Sequence, residues 1–172
     1  MLSPTVQEAL NEQVNAELYS AYLYLAMSAD CETRNLRGFA HWLRVQYEEE
    51  TAHALKIFDF IMERGGKVTL KAIQAPPAVW DSPRTMFEVV LEHEQQVTAS
   101  VNKLVDLAIA ESDHATNNFL QWFVAEQVEE EASADNILQQ LKLVAGAPGG
   151  LFMLDQQLAR RSAGSAGSGE GG

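Results

Sequence analysis

The sequence predicts an all-α protein, a four-helix bundle with one long crossover connection and a short fifth helix at the C-terminal end. Four segments, each about 42 Å long as a helix at 1.5 Å per residue, run without an internal proline or glycine pair. In each segment hydrophobic residues recur at alternating steps of three and four, the spacing of one helix face. The connection at 65–82 is much longer than those at 33–35 and 112–114, so it can run the length of the bundle.

The first two helices are predicted at about 4–32 and 36–64. Ser3 followed by Pro4 is a capping residue followed by proline at the first helical position, a pattern typical of a helix start. The pair Gly65-Gly66 is typical of a helix end. The short turn between the two helices predicts that they are antiparallel.

The third and fourth helices are predicted at about 83–111 and 115–145, and a short fifth helix at 151–161. Ser82-Pro83 repeats the start pattern, and a polar run at 111–114 separates the third helix from the fourth. The third and fourth helices are therefore also expected to be antiparallel, while the long connection lets the second and third lie parallel.

Charge and composition exclude several classes of partner. The chain has 24 acidic and 12 basic residues, for a net charge of −12, so we expect no nucleic acid and no membrane as a partner. A single cysteine, Cys31, cannot form a disulfide framework or a cysteine-ligated metal site within one chain. With no signal-peptide pattern and no long apolar run, we expect a cytoplasmic protein. We expect one domain at 1–161 and a disordered Gly/Ser-rich tail at 162–172.

Each predicted hydrophobic face is interrupted by an acidic residue near the midpoint of its helix. These residues are Glu17, Glu50, Glu94 and Glu130, joined by His53 and Gln127. Four long helices in one bundle bring their midpoints to one level, so these side chains are expected to form a buried cluster. Buried carboxylates are costly without counter-charge, and no lysine or arginine lies on these faces. Two divalent cations would balance four carboxylates, and oxygen ligands with one imidazole favour iron or manganese.

An alternative interpretation is a polar layer that fixes helix register, as a buried asparagine does in coiled coils. One polar residue would suffice for register, whereas this layer contains at least six. Glu50 and His53 are also three residues apart, so they lie on one helix face.

Six blocks of sequence carry a resemblance to a known family. They are Asn11-Glu12-Gln13, Glu17-Leu18-Tyr19-Ser20, Glu49-Glu50-Thr51-Ala52-His53, Glu94, Asn118-Phe119-Leu120-Gln121-Trp122-Phe123 and Glu126-Gln127-Val128-Glu129-Glu130-Glu131. In these blocks the chain resembles the non-haem ferritins of bacteria and archaea. The resemblance runs from Leu10 to about Leu158 and implies a ferritin-like bundle with an intrasubunit ferroxidase centre.

The resemblance implies a role for each cluster residue. Glu17, Glu50 and His53 are similar to the ligands of one iron, and Glu50, Glu94 and Glu130 to those of a second, with Glu50 bridging.

Two further residues are similar to neighbours of that centre. Gln127 resembles the family's glutamine beside the second iron. Tyr24 resembles its tyrosine next to the centre, although a core tyrosine that only fills space is an alternative.

A third iron site is also implied. Glu49, Glu126 and Glu129, together with Glu130, are similar to the third site of bacterial-type ferritins. For the first three, a solvated acidic helix face is the alternative.

The sequence differs from two related families, the bacterioferritins and the rubrerythrins. The fourth helix has Gln127-x-x-Glu130 where bacterioferritins have a second Glu-x-x-His. Thr51 and Ala52 precede His53, so the methionine that ligates haem in bacterioferritins is missing. We therefore expect no haem. With a single cysteine the chain has no rubredoxin-like iron site, which argues against a rubrerythrin. We expect His41 and His93 to be surface or packing residues and Cys31 to be a small buried side chain.

The function implied is iron storage with ferroxidase activity. Fe²⁺ would be oxidised by dioxygen or hydrogen peroxide at the di-iron centre, and Fe³⁺ would be stored as a mineral inside a homo-oligomeric shell of 24 subunits. An alternative is a di-iron oxygenase or oxidase that acts on an organic substrate. A scaffold bundle with vestigial ligands is a third interpretation.

Overall fold

The protein is described by a computed structural model that covers residues 2–162, in which five helices and no strand are found. The helices are α1 (Pro4–Thr33), α2 (Arg37–Glu63), α3 (Pro83–Ala110), α4 (His114–Leu143) and α5 (Gly150–Leu158). The predicted all-α class, the four long helices and the short fifth helix are confirmed. Helix α5 ends earlier than predicted, at Leu158 rather than 161. The predicted tail lies outside the described residues from 163 onward.

Side-chain caps set the starts of three long helices. The Ser3 hydroxyl accepts a hydrogen bond from the Val6 N–H, and Asp113 accepts one from Thr116 in the same way. Ser82 and Thr85 form a reciprocal capping box at the start of α3. Each cap satisfies backbone N–H groups that have no partner within the helix.

The crossover between α2 and α3 is fastened to α1. The Asn11 side chain donates to the Lys67 carbonyl at 3.1 Å and accepts from the Thr69 N–H at 2.7 Å. Lys71 forms ion pairs with Glu8 and Glu12 on the exposed side of α1. These contacts hold the connection along the bundle, as its length predicts.

The hydrophobic core consists of two clusters at opposite ends of the bundle. One contains Leu23, Tyr24, Phe39, Phe87, Val90, Ile137 and Leu141; the other contains Val6, Leu10, Ile57, Ile61, Val101, Leu104 and Leu120. Along each long helix, the predicted midpoint carboxylate falls between the residues of the two clusters. The core is therefore split by a polar layer.

Helix α5 docks against the start of α2 through one buried carboxylate. The α2 N-cap residue, Leu36, has no side chain that can accept a hydrogen bond, and Asp155 of α5 takes this role. Asp155 Oδ1 accepts from the backbone N–H groups of Gly38 and Phe39 at 2.8 and 3.0 Å. A Cβ atom at position 38 would lie 1.6 Å from the Asp155 carbonyl oxygen, so only glycine permits this approach.

We predict that Asp155→Ala lowers the free energy of unfolding by about 1–2 kcal/mol, because it removes a helix cap supplied by a distant helix. Gly38→Ala should cost more, since α5 must move away from α2 to make room for the methyl group. Thermal and denaturant unfolding would measure both effects. Gln156→Ala, which changes an exposed neighbour on α5, is the matched control. If all three variants unfold alike, the cap has no role in docking α5.

Candidate metal centre

The six predicted cluster residues lie together in the polar layer between the two hydrophobic clusters. Glu17, Glu50, Glu94, Glu130, His53 and Gln127 are each at most 5% exposed. They come from all four long helices. The periodicity that places them on inward faces is therefore sufficient to bring them to one level of the bundle.

Two groups of potential ligand atoms share the imidazole of His53. One group is Glu17, Glu50 and His53, and the other is His53, Glu126 and Glu130; within each group the ligand atoms lie within 4.8 Å of one another. His53 Nδ1 is 3.4 Å from Glu50 Oε2 and 4.0 Å from Glu17 Oε2. Carboxylate and imidazole atoms at this spacing fit divalent iron, manganese or zinc.

Three of the four carboxylates accept a hydrogen bond from the neutral side-chain amide of a glutamine. Gln13 Nε2 donates to Glu17 Oε1 at 2.8 Å, and Gln46 Nε2 donates to Glu130 Oε2 at 2.9 Å. Glu17 Oε2, which faces His53, accepts no hydrogen bond within the described part of the chain. The amides orient the carboxylates without neutralising their charge.

Glu94 has two donors. Gln127 Nε2 lies 3.2 Å from Glu94 Oε2, and the Tyr24 hydroxyl donates to Glu94 Oε1. Tyr24 is fully buried in the hydrophobic cluster that contains Phe39. It therefore fills core space and also contacts a carboxylate of the polar layer.

Gln13 and Gln46 were not among the predicted site residues. Gln13 is four residues before Glu17 on α1, and this spacing on an inward face could have identified it. Ser100 of α3 in turn donates to Gln13 Oε1 at 2.6 Å. Gln46 lies on the inward face of α2, but its partner Glu130 is on α4, so local sequence gave no indication of the contact.

Aromatic side chains close one side of the layer. The His53 ring meets Trp122 edge-on at a centroid distance of 5.3 Å and Phe123 at 5.9 Å. Trp122 belongs to one of the blocks that carry the resemblance but was given no role in the sequence analysis. These rings cover the imidazole of His53, which is only 5% exposed.

Burial dominates the electrostatics of the cluster. It raises the pKa of Glu17, and it raises the pKa of Glu50 well above the ordinary value, with repulsion from Glu17, Glu94 and Glu130 adding to the shift. Burial raises the pKa of Glu94 to about 7. Burial, followed by repulsion from Glu94, raises the pKa of Glu130 to about 8.

The imidazole has the opposite shift. Burial lowers the pKa of His53 to about 4, which leaves it neutral and able to act as a ligand at neutral pH. Burial, with repulsion from Glu94, also raises the pKa of Tyr24 well above its ordinary value. Near neutral pH the cluster therefore holds protons on carboxyl groups that a cation would displace.

The predicted third-site residues differ in their environment. Glu126 is buried and Glu49 is largely buried, whereas Glu129 is exposed. Burial, followed by repulsion from Glu129 and Glu49, raises the pKa of Glu126. The alternative of a solvated acidic face therefore fits Glu129 but not Glu49 or Glu126. Glu49 Oε2 accepts a hydrogen bond from Arg161 Nη2 at 2.6 Å, a contact that the sequence did not indicate.

His93 and Cys31 have packing roles. His93 lies between the rings of Tyr19 and Tyr24, with Nε2 2.7 Å from the Ser20 hydroxyl. Cys31 is fully buried, and its thiol lies 3.7 Å from the Met86 sulfur. Both match the expectation of packing side chains.

Residues 2–162 include no helix that combines the length and the apolar character needed to cross a membrane.

Comparison with known proteins identifies a family. Residues 7–144 match the family model described as "Ferritin-like domain". The chain is 45% identical over 161 residues to a bacterial non-heme ferritin of Bacteroides fragilis, covering 94% of this chain and all of that protein. It is 40% identical over 158 residues to a bacterial non-heme ferritin of Campylobacter jejuni, covering 92% and 95% of the two chains.

A solved structure agrees with these sequence matches. The crystal structure of an open-pore ferritin from the archaeon Archaeoglobus fulgidus is similar with a TM-score of 0.93 and 52% identity, covering 94% of this chain and all of that one.

We predict that the stability of the metal-free protein falls as pH rises from roughly 6.5 to 8.5. Glu94 and Glu130 hold protons in the folded state up to about pH 7 and 8, whereas the unfolded chain releases them near pH 4.5. His53 and His93, with pKa values lowered to about 4, oppose this effect only below about pH 6.5, where the unfolded chain gains their protons.

Zn²⁺ should cancel this decline, because it replaces those protons in the folded state alone. The rise in melting temperature on adding Zn²⁺ should therefore grow across the same pH range. Calorimetry with and without Zn²⁺ would measure it, and Glu130→Gln, which cannot ionise, should flatten the decline of the metal-free protein. A Zn²⁺ effect that is constant or shrinks with pH would contradict the prediction.

Proposed function

This chain belongs to the ferritin family, and we propose that it stores iron and oxidises Fe²⁺ with dioxygen at a di-iron centre within the four-helix bundle. The observation that carries the proposal is the buried layer of four carboxylates, one from each long helix, with one neutral imidazole. Two divalent cations would neutralise four ionised carboxylates, which burial otherwise forces to keep protons.

Glu17, Glu50 and His53 are proposed to bind one iron, and Glu50, Glu94 and Glu130 the other, with Glu50 bridging. The 3.4 Å separation of His53 Nδ1 and Glu50 Oε2 supports one metal between them. Gln127 donates a hydrogen bond to Glu94 and would therefore stand beside the second iron.

The chain contributes ligands, charge balance and a dry site, and the redox chemistry belongs to iron. Two Fe²⁺ ions would each give one electron to dioxygen, which with two protons becomes hydrogen peroxide, and hydrogen peroxide can serve as the oxidant in a further turnover. Carboxyl groups of the layer lose their protons as Fe²⁺ binds. The amide donors of Gln13 and Gln46 keep the carboxylates in place before and after that exchange.

Glu49, Glu126 and Glu129, together with Glu130, are proposed as a third iron site. Its position beside the di-iron centre is supported by the cluster of His53, Glu126 and Glu130, because Glu130 and His53 are shared with the centre.

We propose a homo-oligomeric shell of 24 subunits that holds the ferric mineral, located in the cytoplasm. Residues 1–161 would form the ferritin-like di-iron domain, and residues 162–172 would be a Gly/Ser-rich tail. The unpaired thiol of Cys31 is in keeping with a reducing compartment.

Glu50→Ala combined with His53→Ala should abolish fast oxidation of the first two Fe²⁺ per subunit, because it removes the bridging carboxylate and the imidazole. The shell should still assemble, since the hydrophobic clusters are untouched. Stopped-flow absorbance would measure oxidation, and light scattering the particle size. Asp59→Ala with Glu63→Ala removes exposed carboxylates of the same helix and is the matched control. A wild-type rate in the Glu50/His53 variant would show that the di-iron assignment is wrong.

Changing Glu49, Glu126 and Glu129 to alanine should leave the first two Fe²⁺ per subunit oxidising quickly. Later turnovers and the ratio of iron to dioxygen consumed should change, because the third site no longer accepts iron. Oxygen uptake at two and then at many Fe²⁺ per subunit would separate the phases. Glu48→Ala, Glu63→Ala and Glu92→Ala together give a control with the same charge change on exposed positions.

Wild-type protein that never accepts iron beyond a few ions per subunit would count against storage. That result would favour the alternative of a di-iron oxygenase.

A further inference from the structure

We propose that Arg161 is the resident cation of the third site, and that a divalent metal must displace its guanidinium from Glu49 before it binds there. The inference rests on the proposed function, because it assigns a role to a residue next to the proposed third iron site. Its consequence is that the third site binds metal more weakly than the di-iron centre and fills after it.

The ion pair itself is short and shielded. Arg161 Nη2 lies 2.6 Å from Glu49 Oε2, and both side chains are only 15% exposed. A hydrogen bond between two charged groups at this distance is among the stronger polar contacts in proteins. The guanidinium therefore occupies one carboxylate oxygen of Glu49, and a metal that binds this oxygen has to replace it.

Two further contacts hold Arg161 at this position. Its guanidinium carbon lies 4.4 Å from the centre of the Trp42 ring, a cation–π contact. Its backbone carbonyl accepts a hydrogen bond from His41 Nε2 at 2.7 Å. Arg161 follows the end of α5, and these contacts fix a residue beyond the helix beside Glu49.

The guanidinium is nevertheless incompletely bonded. Arg161 Nη1 is buried and has no hydrogen-bond partner within residues 2–162. A buried donor without a partner makes the bound position less favourable than a fully paired one. The side chain can therefore be displaced by a cation that binds several carboxylates at once.

The charges near Arg161 favour replacement of its guanidinium by a divalent metal ion. The carboxylate of Glu49 adds repulsion at both Glu126 and Glu130, and the positive charge of Arg161 offsets part of it at Glu130. Arg161 thus supplies one positive charge where a divalent metal would supply two. A permanent cation that competes for the same oxygen raises the apparent dissociation constant of the metal.

The test is calorimetric titration of the assembled metal-free protein with Zn²⁺, which does not change oxidation state. Wild type, R161A and R160A would be compared. Arg160 is exposed, and its side chain forms no hydrogen bond or ion pair within residues 2–162, so R160A removes the same charge one residue away. We expect two tight sites per subunit in all three proteins, and a third site that binds at least tenfold more tightly in R161A than in R160A.

Equal or weaker binding of the third Zn²⁺ in R161A would overturn the role of Arg161. R161Q keeps a hydrogen-bonding side chain over Trp42 without the charge, and it carries the same expectation if R161A assembles poorly. Absence of the two tight sites in every protein would overturn the di-iron centre instead. The comparison of R161A with R160A would still decide the role of Arg161 in that case.

Discussion

The mutual repulsion of four carboxylates buried at one level of the bundle is the constraint to which the rest of the structure responds. Lysine or arginine partners would neutralise the carboxylates and leave no charge for a metal. Instead, Gln13, Gln46 and Gln127 donate neutral amide hydrogen bonds to Glu17, Glu130 and Glu94. Such donors fix the orientation of each carboxylate but preserve its charge. Burial raises the pKa of Glu94 to about 7 and that of Glu130 to about 8. Protons therefore balance part of the charge of the layer until a cation replaces them.

The polar layer across the middle of the core also determines how the two ends of the bundle are held together. It divides the hydrophobic core into two clusters, each of which must hold its own end of the bundle. Polar contacts reinforce both ends. Asp155 ties α5 to the start of α2 at one end, and Asn11 ties the crossover to α1 near the other. Because the hydrophobic clusters lie on either side of the layer, we expect that ligands can be changed without dismantling the hydrophobic packing.

Periodicity predicted the helices, their order and the level of Glu17, Glu50, Glu94 and Glu130, because inward faces and helix midpoints are local properties of a sequence. Contacts between distant segments could not be predicted in this way. The amide of Gln46 reaches Glu130 from another helix, and Asp155 caps a helix that begins more than a hundred residues earlier. Nothing near Arg161 in sequence indicates Glu49 as its partner, since the spacing of residues along one chain does not report which side chains meet across a docked helix.

The two proposed sites differ in what a metal must replace. In the di-iron centre the displaced species are protons, so metal affinity there depends on pH through the raised pKa values of Glu94 and Glu130. At the third site the displaced species includes the guanidinium of Arg161, a cation rather than a proton. Affinity for the third metal is then limited by a competing cation as well as by acidity. With Glu130 common to both proposed sites, a protein built this way would fill the proposed di-iron centre first and hold a third ion weakly enough to pass it on.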